Sequence, residues 1–457
     1  MCFVIRTIVV VLLFNYAASK SIIKNVPGFS GNLPFTLETG YLGIGDLEEV
    51  QYFYYFVESE RNPDEDPLLL WLTGGPGCSG ITGLAYEIGP LKFNYAKSKV
   101  NPTLELNPYS WTKIANIIFL DAPVGTGFSY ATTWQNYFSS DTIQASSNYE
   151  FLTKWLHDHP KFQTNSLYIS GDSYFGKIVP MLVQKIDREN KIGGNPHMNL
   201  QGFVLGNPVT DEPRDINSRF EFAYLKGLIP HELYESALKN CNGNYTYVDP
   251  SNSACTKDLL IYEECIKDIF IAQILEPTCN TLTPRRSQTW NLDFLTEEYP
   301  LDSHATHWCR SYTYIPSYKW LSDKNVQSAL QIREGTVENW IRCNYSIWYE
   351  KNLPSSFEIH QKLIEKGYQV LIYSGDHDML IPYVGTLSWI KSLNLTIEYD
   401  WAPWFVDGQV AGYWMKYEYK KYSLTYATIK GGGHTAPEYK PKECFAMIDR
   451  WFALYPL

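Results

Sequence analysis

Three residues able to carry out acyl chemistry follow β-like apolar runs, in the order Ser, Asp, His. Ser173 comes after Leu167-Tyr168-Ile169-Ser170-Gly171-Asp172 and before a helical pattern of Ile178, Val179, Met181 and Leu182. Asp378 lies in Gly375-Asp376-His377-Asp378 after the run Gln369 to Ser374, with Pro382 four residues beyond. His434 ends Gly431-Gly432-Gly433-His434 after Leu424 to Ile429. A serine hydroxyl is a weak nucleophile at its free pKa. A neutral imidazole can take its proton, and a carboxylate can fix the imidazole tautomer and stabilise the imidazolium. The expected chemistry is attack of Ser173 on an activated carbonyl, with His434 as base and Asp378 as its partner. Spacing from the strand end selects Asp378 over Asp376.

Such a set needs strand ends and sharp turns. A strand, Gly-acid-Ser and then a helix form the nucleophile elbow of an α/β-hydrolase, where strained backbone lifts one hydroxyl above the sheet edge. A donor loop is required upstream. The buried-strand run Leu68 to Leu72 ends in Thr73-Gly74-Gly75-Pro76-Gly77-Cys78. Adjacent glycines let backbone N–H groups approach a substrate closely. The N–H groups of Gly75 and Tyr174 are the expected oxyanion donors, worth on the order of 3 kcal/mol each. No Gly-Lys-Ser/Thr follows, so this is not a phosphate loop.

Other elements fit around these. Leu37, Tyr41 and Val50 to Val57 read as strands, as do Ile117 to Leu120, Gly202 to Pro208, Gly412 to Glu418 and Leu424 to Ile429. Asp141 reads as the N-cap of a helix running to Pro160. A last helix, Lys442 to Leu454, puts Cys444, Met447, Ile448 and Trp451 on one face. Strands alternating with helices predict an α/β fold with a mostly parallel central sheet. Strand runs stop between about Thr210 and Tyr318, which predicts a helical, cysteine-bearing cap inserted into one domain spanning 20–457. The cap contains Pro284-Arg285-Arg286-Ser287, a basic and exposed loop.

Composition sets outer bounds. The 457 residues are 45% hydrophobic and 16% aromatic, enough for a large core, and 19% charged, too few for a disordered chain. A formal charge of −11 argues against a nucleic-acid partner. Met1 to Ser19 has one basic residue, a short apolar run and Ala17-Ala18-Ser19, which reads as a secretory signal peptide over 1–19; no membrane span is expected after it. Eight further cysteines suit an oxidising lumen, and spacing alone leaves their pairing open. Asn244, Asn344 and Asn394 head N-glycosylation sequons. His157-Asp158-His159 reads as a solvent-facing helix end, and His304 and His307 lack carboxylate or Cys spacing that fits zinc, so no metal is expected.

Four segments together carry a family resemblance: Trp71-Leu72-Thr73-Gly74-Gly75-Pro76-Gly77-Cys78, Asp121-Ala122-Pro123-Val124-Gly125-Thr126-Gly127-Phe128-Ser129-Tyr130, Gly171-Asp172-Ser173-Tyr174 and Gly433-His434-Thr435-Ala436-Pro437. With them the chain resembles a plant serine carboxypeptidase-like protein over nearly its whole length. The resemblance implies disulfides Cys78–Cys343, Cys241–Cys255 and Cys279–Cys309, with Cys265 and Cys444 left as buried small apolar groups. It implies no cofactor, and a vacuolar or extracellular site. Peptidases of the family carry an Asn before the Gly-Gly-Pro-Gly loop and a Glu before the nucleophile, both binding the substrate's C-terminal carboxylate. Here those positions are Thr73 and Asp172, which resembles the acyltransferase branch. The expected partners are then a 1-O-acylglucose-type acyl donor and an acceptor hydroxyl. Thr73, Gly74 and Asp172 would line the substrate site, and Arg342, drawn in by Cys343, would bind an acidic acceptor or a substrate hydroxyl. The alternatives are a serine carboxypeptidase and a catalytically silent member. Phe175 departs from the pattern: the elbow favours a small residue there, so its ring must find room or push the turn aside.

Overall fold

The computed structural model describes residues 19–98, 101–279 and 309–457. Of the expected leader segment 1–19 all but Ser19 lies outside them, as do Arg285-Arg286, His304 and His307.

Most of the strands are short apolar runs, because a chain buried on both faces must pair its backbone polar groups in a ladder. They are β1 (Ser19–Ile23), β2 (Leu37–Ile44), β3 (Val50–Val57), β4 (Leu68–Leu72), β5 (Asn116–Leu120), β6 (Leu167–Asp172), β7 (Leu200–Gly206), β8 (Gln369–Gly375), β9 (Thr396–Val406), β10 (Gln409–Tyr419) and β11 (Tyr422–Ile429). They lie side by side as β1-β2-β3-β5-β4-β6-β7-β8-β11-β10-β9, with the short strand Tyr130–Ala131 beside β3. The six strands from β5 to β11 in that order are parallel. The flanking pairs are antiparallel. The carboxyl ends of β4, β6, β7, β8 and β11 therefore meet along one edge, where ligands bind in open α/β sheets.

Side chains alternate across the sheet and build two core layers. Leu68, Leu70 and Leu72 face the layer of helices α1 (Asp141–Asp158) and α2 (Phe175–Lys191). Leu69 and Trp71 face the other, which receives Cys444, Met447 and Ile448. A third cluster lies in the cap, among helices α3 (Glu212–Leu225), α4 (His231–Cys241) and α5 (Ser253–Ile266). Cys444, Met447, Ile448 and Trp451 are the buried face of α6 (Pro441–Phe452).

Several expectations need correcting. His157 is exposed, but His159 is buried, its ring between the Trp155 carbonyl and the Glu38 carboxylate. The N-cap of α1 is Ser140, whose Oγ accepts from the Ile143 N–H; Asp141 is the first helical residue. Its carboxylate takes the Tyr174 and Tyr349 hydroxyls and the Leu353 N–H instead. Of the two cysteines outside disulfides, Cys444 is buried but Cys265 is exposed, because α5 turns that face to solvent. The edge strand β9 was not expected from the sequence. Phe175 is fully buried in the α1/α2 layer with Ile178 and Val179. The absence of a side chain at Gly171 makes room: a Cβ there would lie 3.0 Å from the Phe175 Cβ. The ring packs into the core and does not displace the turn.

Phe175→Ala should remove about 3–5 kcal/mol of packing and lower the midpoint of thermal unfolding; an unchanged midpoint would contradict this placement.

Candidate active site

Ser173 follows the last residue of β6 with φ 53, the left-handed region that a non-glycine residue enters at a cost. Three backbone bonds hold it there: Ser173 N–H to Gly206 O (2.9 Å), Gly176 N–H to Ser173 O (3.0 Å) and Val209 N–H to Ser173 O (2.9 Å). The hydroxyl faces His434, with Oγ 2.7 Å from Nε2. The other ring nitrogen, Nδ1, is 2.8 Å from Asp378 Oδ2. That oxygen also accepts from Asn207 Nδ2 at 2.7 Å, and Asp378 Oδ1 takes the N–H groups of Leu380 and Ile381. Asp376 points elsewhere, to the His377 ring and the Gly431 N–H. The structure thus brings Ser173, His434 and Asp378 into one hydrogen-bonded chain.

Burial disfavours a charged His434, but the fully buried Asp378 outweighs it through charge and hydrogen bond. The imidazole pKa is raised above its usual 6.5.

The Gly74-Gly75 loop lies directly over the serine. A Cβ on Gly74 would sit 2.5 Å from the Ser173 Cβ, so only glycine fits. Gly75 has φ 122 and is solvent-exposed. Among the described residues, neither the Gly75 nor the Tyr174 N–H donates to another protein group, and both belong to residues at the serine. The Cys78–Cys343 disulfide ties this loop to the segment after Trp340. Ser79 N–H to Arg342 O and Asn344 N–H to Gly77 O, each 2.8 Å, complete the joint. Cys241–Cys255 and Cys279–Cys309 close within the cap.

A cavity of about 690 Å³ opens over Ser173 and His434, and Thr73, Gly74, Gly75, Asp172 and Arg342 all line it. Thr73 Oγ1 is buried without a hydrogen-bond partner. Asp172 Oδ1 accepts the Gly74 N–H at 2.9 Å, so this carboxyl braces the loop against the elbow. Burial raises its pKa to about 6, against opposing pulls from His434 and the Gly74 N–H. The half-buried Arg342 stacks its guanidinium 4.0 Å from the Tyr314 ring, and its Nε has no partner. Phe175 does not line the cavity.

Sequence reasoning missed three residues here. Asn207 follows β7 at φ 41 and orients Asp378; its only sequence signal is a polar residue at a strand end. Glu87 lines the cavity, buried, with both carboxyl oxygens unpaired; the nearby Trp71 indole N–H is also unpaired. Burial, then the Asp172 and Glu438 charges, push its pKa well above the carboxylate range. A lone acid in Leu84-Ala85-Tyr86-Glu87 was the available clue. Arg310 is the third. Of the sequon residues, Asn244 and Asn394 are exposed, whereas Asn344 is half-buried and donates to Gly125 O at 2.9 Å. Among the described residues no His, Cys, Asp and Glu cluster could hold a metal, and no helix is long and apolar enough to cross a membrane.

An α/β sheet with a cap, carrying a Ser–His–Asp hydrogen-bond chain at its carboxyl edge, defines an α/β-hydrolase. Comparison with known proteins narrows the class. The sequence model described as serine carboxypeptidase matches residues 27–454. Serine carboxypeptidase-like 1 of Arabidopsis thaliana is 49% identical over 440 residues, covering 96% of this chain and 94% of that one. Serine carboxypeptidase-like 16 of the same plant is 48% identical over 445 residues, covering 97% and 96%. The chain belongs to the serine carboxypeptidase family. The crystal structure of Kex1(delta)p, a prohormone-processing carboxypeptidase from Saccharomyces cerevisiae, shares its fold, with a TM-score of 0.72 at 20% identity over 92% of this chain and 91% of that one.

Two outcomes follow. Gly74→Ala should slow fluorophosphonate labelling of Ser173 by at least about 100-fold, the scale of a lost oxyanion contact; an unchanged rate would contradict the close approach. Labelling needs a neutral imidazole, so its rate should rise with pH through a midpoint above 6.5, and Asp378→Asn should lower that midpoint. A wild-type midpoint below 6.5 would contradict the raised imidazole pKa.

Proposed function

We propose that this protein is a serine acyltransferase that takes an acyl group from a 1-O-acylglucose-type donor and passes it to an acceptor hydroxyl, using Ser173, His434 and Asp378. Ser173 Oγ attacks the ester carbonyl carbon while His434 Nε2 takes its proton. The carbonyl oxygen becomes an oxyanion held by the Gly75 and Tyr174 N–H groups. The carbon–oxygen bond to the sugar breaks, and the imidazolium returns the proton to the departing glucose oxygen. The acceptor hydroxyl then attacks the acyl-enzyme, its proton passes to His434, and Ser173 leaves and regains it. Asp378 holds the Nδ1–H tautomer throughout.

One observation favours transfer over peptide release: the Asp172 carboxyl is taken up by the Gly74 N–H, while Thr73 offers a hydroxyl and no amide. The two positions beside the nucleophile thus present little to a peptide carboxylate. Arg342, with an unpaired Nε and a cavity-lining position, supplies positive charge for an acidic acceptor or a sugar hydroxyl.

A specific feature favours a second reading, carboxypeptidase activity. Glu87 faces the same cavity, and burial pushes its carboxyl well above the usual carboxylate range; in its protonated form it donates a hydrogen bond to a peptide carboxylate. A silent family member is the third reading; the 2.7 Å Ser173–His434 contact argues against it.

We place the protein in the secretory pathway, in the vacuole or outside the cell, with N-glycans and without a nucleic-acid or membrane partner. Acidic pH favours the stability of the fold through its buried acids. Burial raises Asp172 to about 6 and Asp215 to about 7. A carboxyl whose folded pKa is raised binds protons more tightly in the native state, so its contribution to stability falls as pH rises from about 4 through the folded value.

Incubation with an acylglucose and an alcohol should give the ester faster than a blocked dipeptide is cleaved; peptide release without ester formation would select the second reading. Arg342→Ala should raise KM for an acidic acceptor about tenfold or more, the scale of a charge-assisted hydrogen bond, and an unchanged KM would remove Arg342 from the site. The thermal midpoint should be higher at pH 5 than at pH 7.5; the reverse order would contradict the raised carboxyl pKa values.

A further inference from the structure

The loops bearing Asp378 and His434 are both bonded to a third segment, which belongs to the cap. Met379 N–H donates to Ile271 O at 2.8 Å, and Ile274 N–H to His377 O at 3.1 Å. His434 N–H donates to Ala272 O at 2.7 Å. The Gln273 side chain, itself buried, reaches Gly431 O at 3.1 Å. Residues 271–274 thus form a strap with backbone bonds on either side of Asp378 and at His434 itself. The two loops also touch each other closely: a Cβ on Gly375 would lie 2.2 Å from Gly433 O.

Among the described residues, a cluster around Arg310 links the strap to the chain beyond His434. Arg310 Nε donates to Glu276 Oε2 at 2.8 Å, two residues past the strap. Its other side reaches Glu438 Oε1 at 3.2 Å, four residues past His434. Its guanidinium lies 3.9 Å from the centre of the Tyr439 ring. Glu438 in turn accepts from Thr435 Oγ1 at 2.9 Å and from the Tyr314 hydroxyl at 2.9 Å. The Cys279–Cys309 disulfide fastens the chain between Glu276 and Arg310. A planar fork with five donors can serve two carboxylates at once; an ammonium cannot match that geometry.

We propose that Arg310 is a positioning residue: by bridging Glu276 of the cap and Glu438 beyond His434, it clamps the 271–274 strap onto the loops that hold His434 and Asp378 in register with Ser173. The cap is then a brace for the reacting groups as well as a cover for the cavity. The inference rests on the reading of Ser173, His434 and Asp378 as the reacting set, although the strap itself can be measured without it.

Three variants test it, read by labelling kinetics, amide exchange and the thermal midpoint. Arg310→Gln keeps the polarity but loses the charged fork, and Glu276→Gln is milder. In Arg310→Gln, the maximal rate of fluorophosphonate labelling should fall at least about tenfold, with the reagent's half-saturating concentration unchanged. Amide hydrogen exchange at Met379 and His434 should speed up at least about tenfold while β6 and β8 stay protected. Glu276→Gln should shift both in the same direction by less, and Arg310→Lys should not restore either. A change confined to half-saturation would make Arg310 a substrate contact and overturn the proposal. So would unchanged exchange at both amides, or a lower thermal midpoint with normal labelling. Wild-type protein that takes no label would sink the Ser173 reading instead, and the exchange result would still decide the strap. If Arg310→Gln does not fold, Glu276→Gln carries the same comparisons.

Discussion

The hydrogen bond between Ser173 Oγ and His434 Nε2 joins residues 261 apart in sequence, and the arrangement of the whole carboxyl edge makes it possible. Parallel strands put several chain reversals on one side of the sheet, and each reversal offers one residue to the site. β6 supplies Ser173 in its left-handed turn. β7 supplies Asn207, and the turns after β8 and β11 supply Asp378 and His434. Because β7 lies between β6 and β8, Asn207 can bond Asp378 while the Gly206 carbonyl holds the Ser173 N–H. A shift in any one of these strands would misplace the contact.

Close backbone approach sets the second condition. Gly74 lies against Ser173, Gly375 against Gly433, and Gly176 against Pro208, each nearer than a side chain would allow. The backbone is thus packed closely at Ser173 and at the turn before His434, and the cavity opens over them. Its electrostatics follow from burial. One imidazole is held ready to accept charge by Asp378, and the carboxyls of Asp172 and Glu87 are driven toward their neutral forms.

Much of this was legible in the sequence, for physical reasons. Leu68 to Leu72, Ile117 to Leu120 and Val370 to Ile372 are continuous apolar runs, which is what strands buried on both faces require. Gly-acid-Ser before a helical pattern and three glycines before His434 encode turns that few other sequences make. The disulfides came from resemblance, because spacing alone allows many pairings. Other features were hidden. β9 exposes most of its residues on both faces, so it shows no period to read. Cys265 looked like a core residue, but nothing local says which face of a cap helix meets water. Ser140 and Asp141 are both good caps, and only tertiary partners for the Asp141 carboxylate decided between them. Glu87, Asn207 and Arg310 matter through neighbours far off in sequence, and no local pattern marks them.

In the proposed reaction Ser173 carries the acyl group between donor and acceptor. Intact-protein and peptide mass spectrometry after brief mixing with an acylglucose tests it most directly. An added acyl mass is expected on the peptide containing Ser173, absent in Ser173→Ala, and discharged as an ester faster by an alcohol acceptor than by water. Acceptor esterification by the Ser173→Ala protein, or an adduct on another residue that turns over at the same rate, would contradict it.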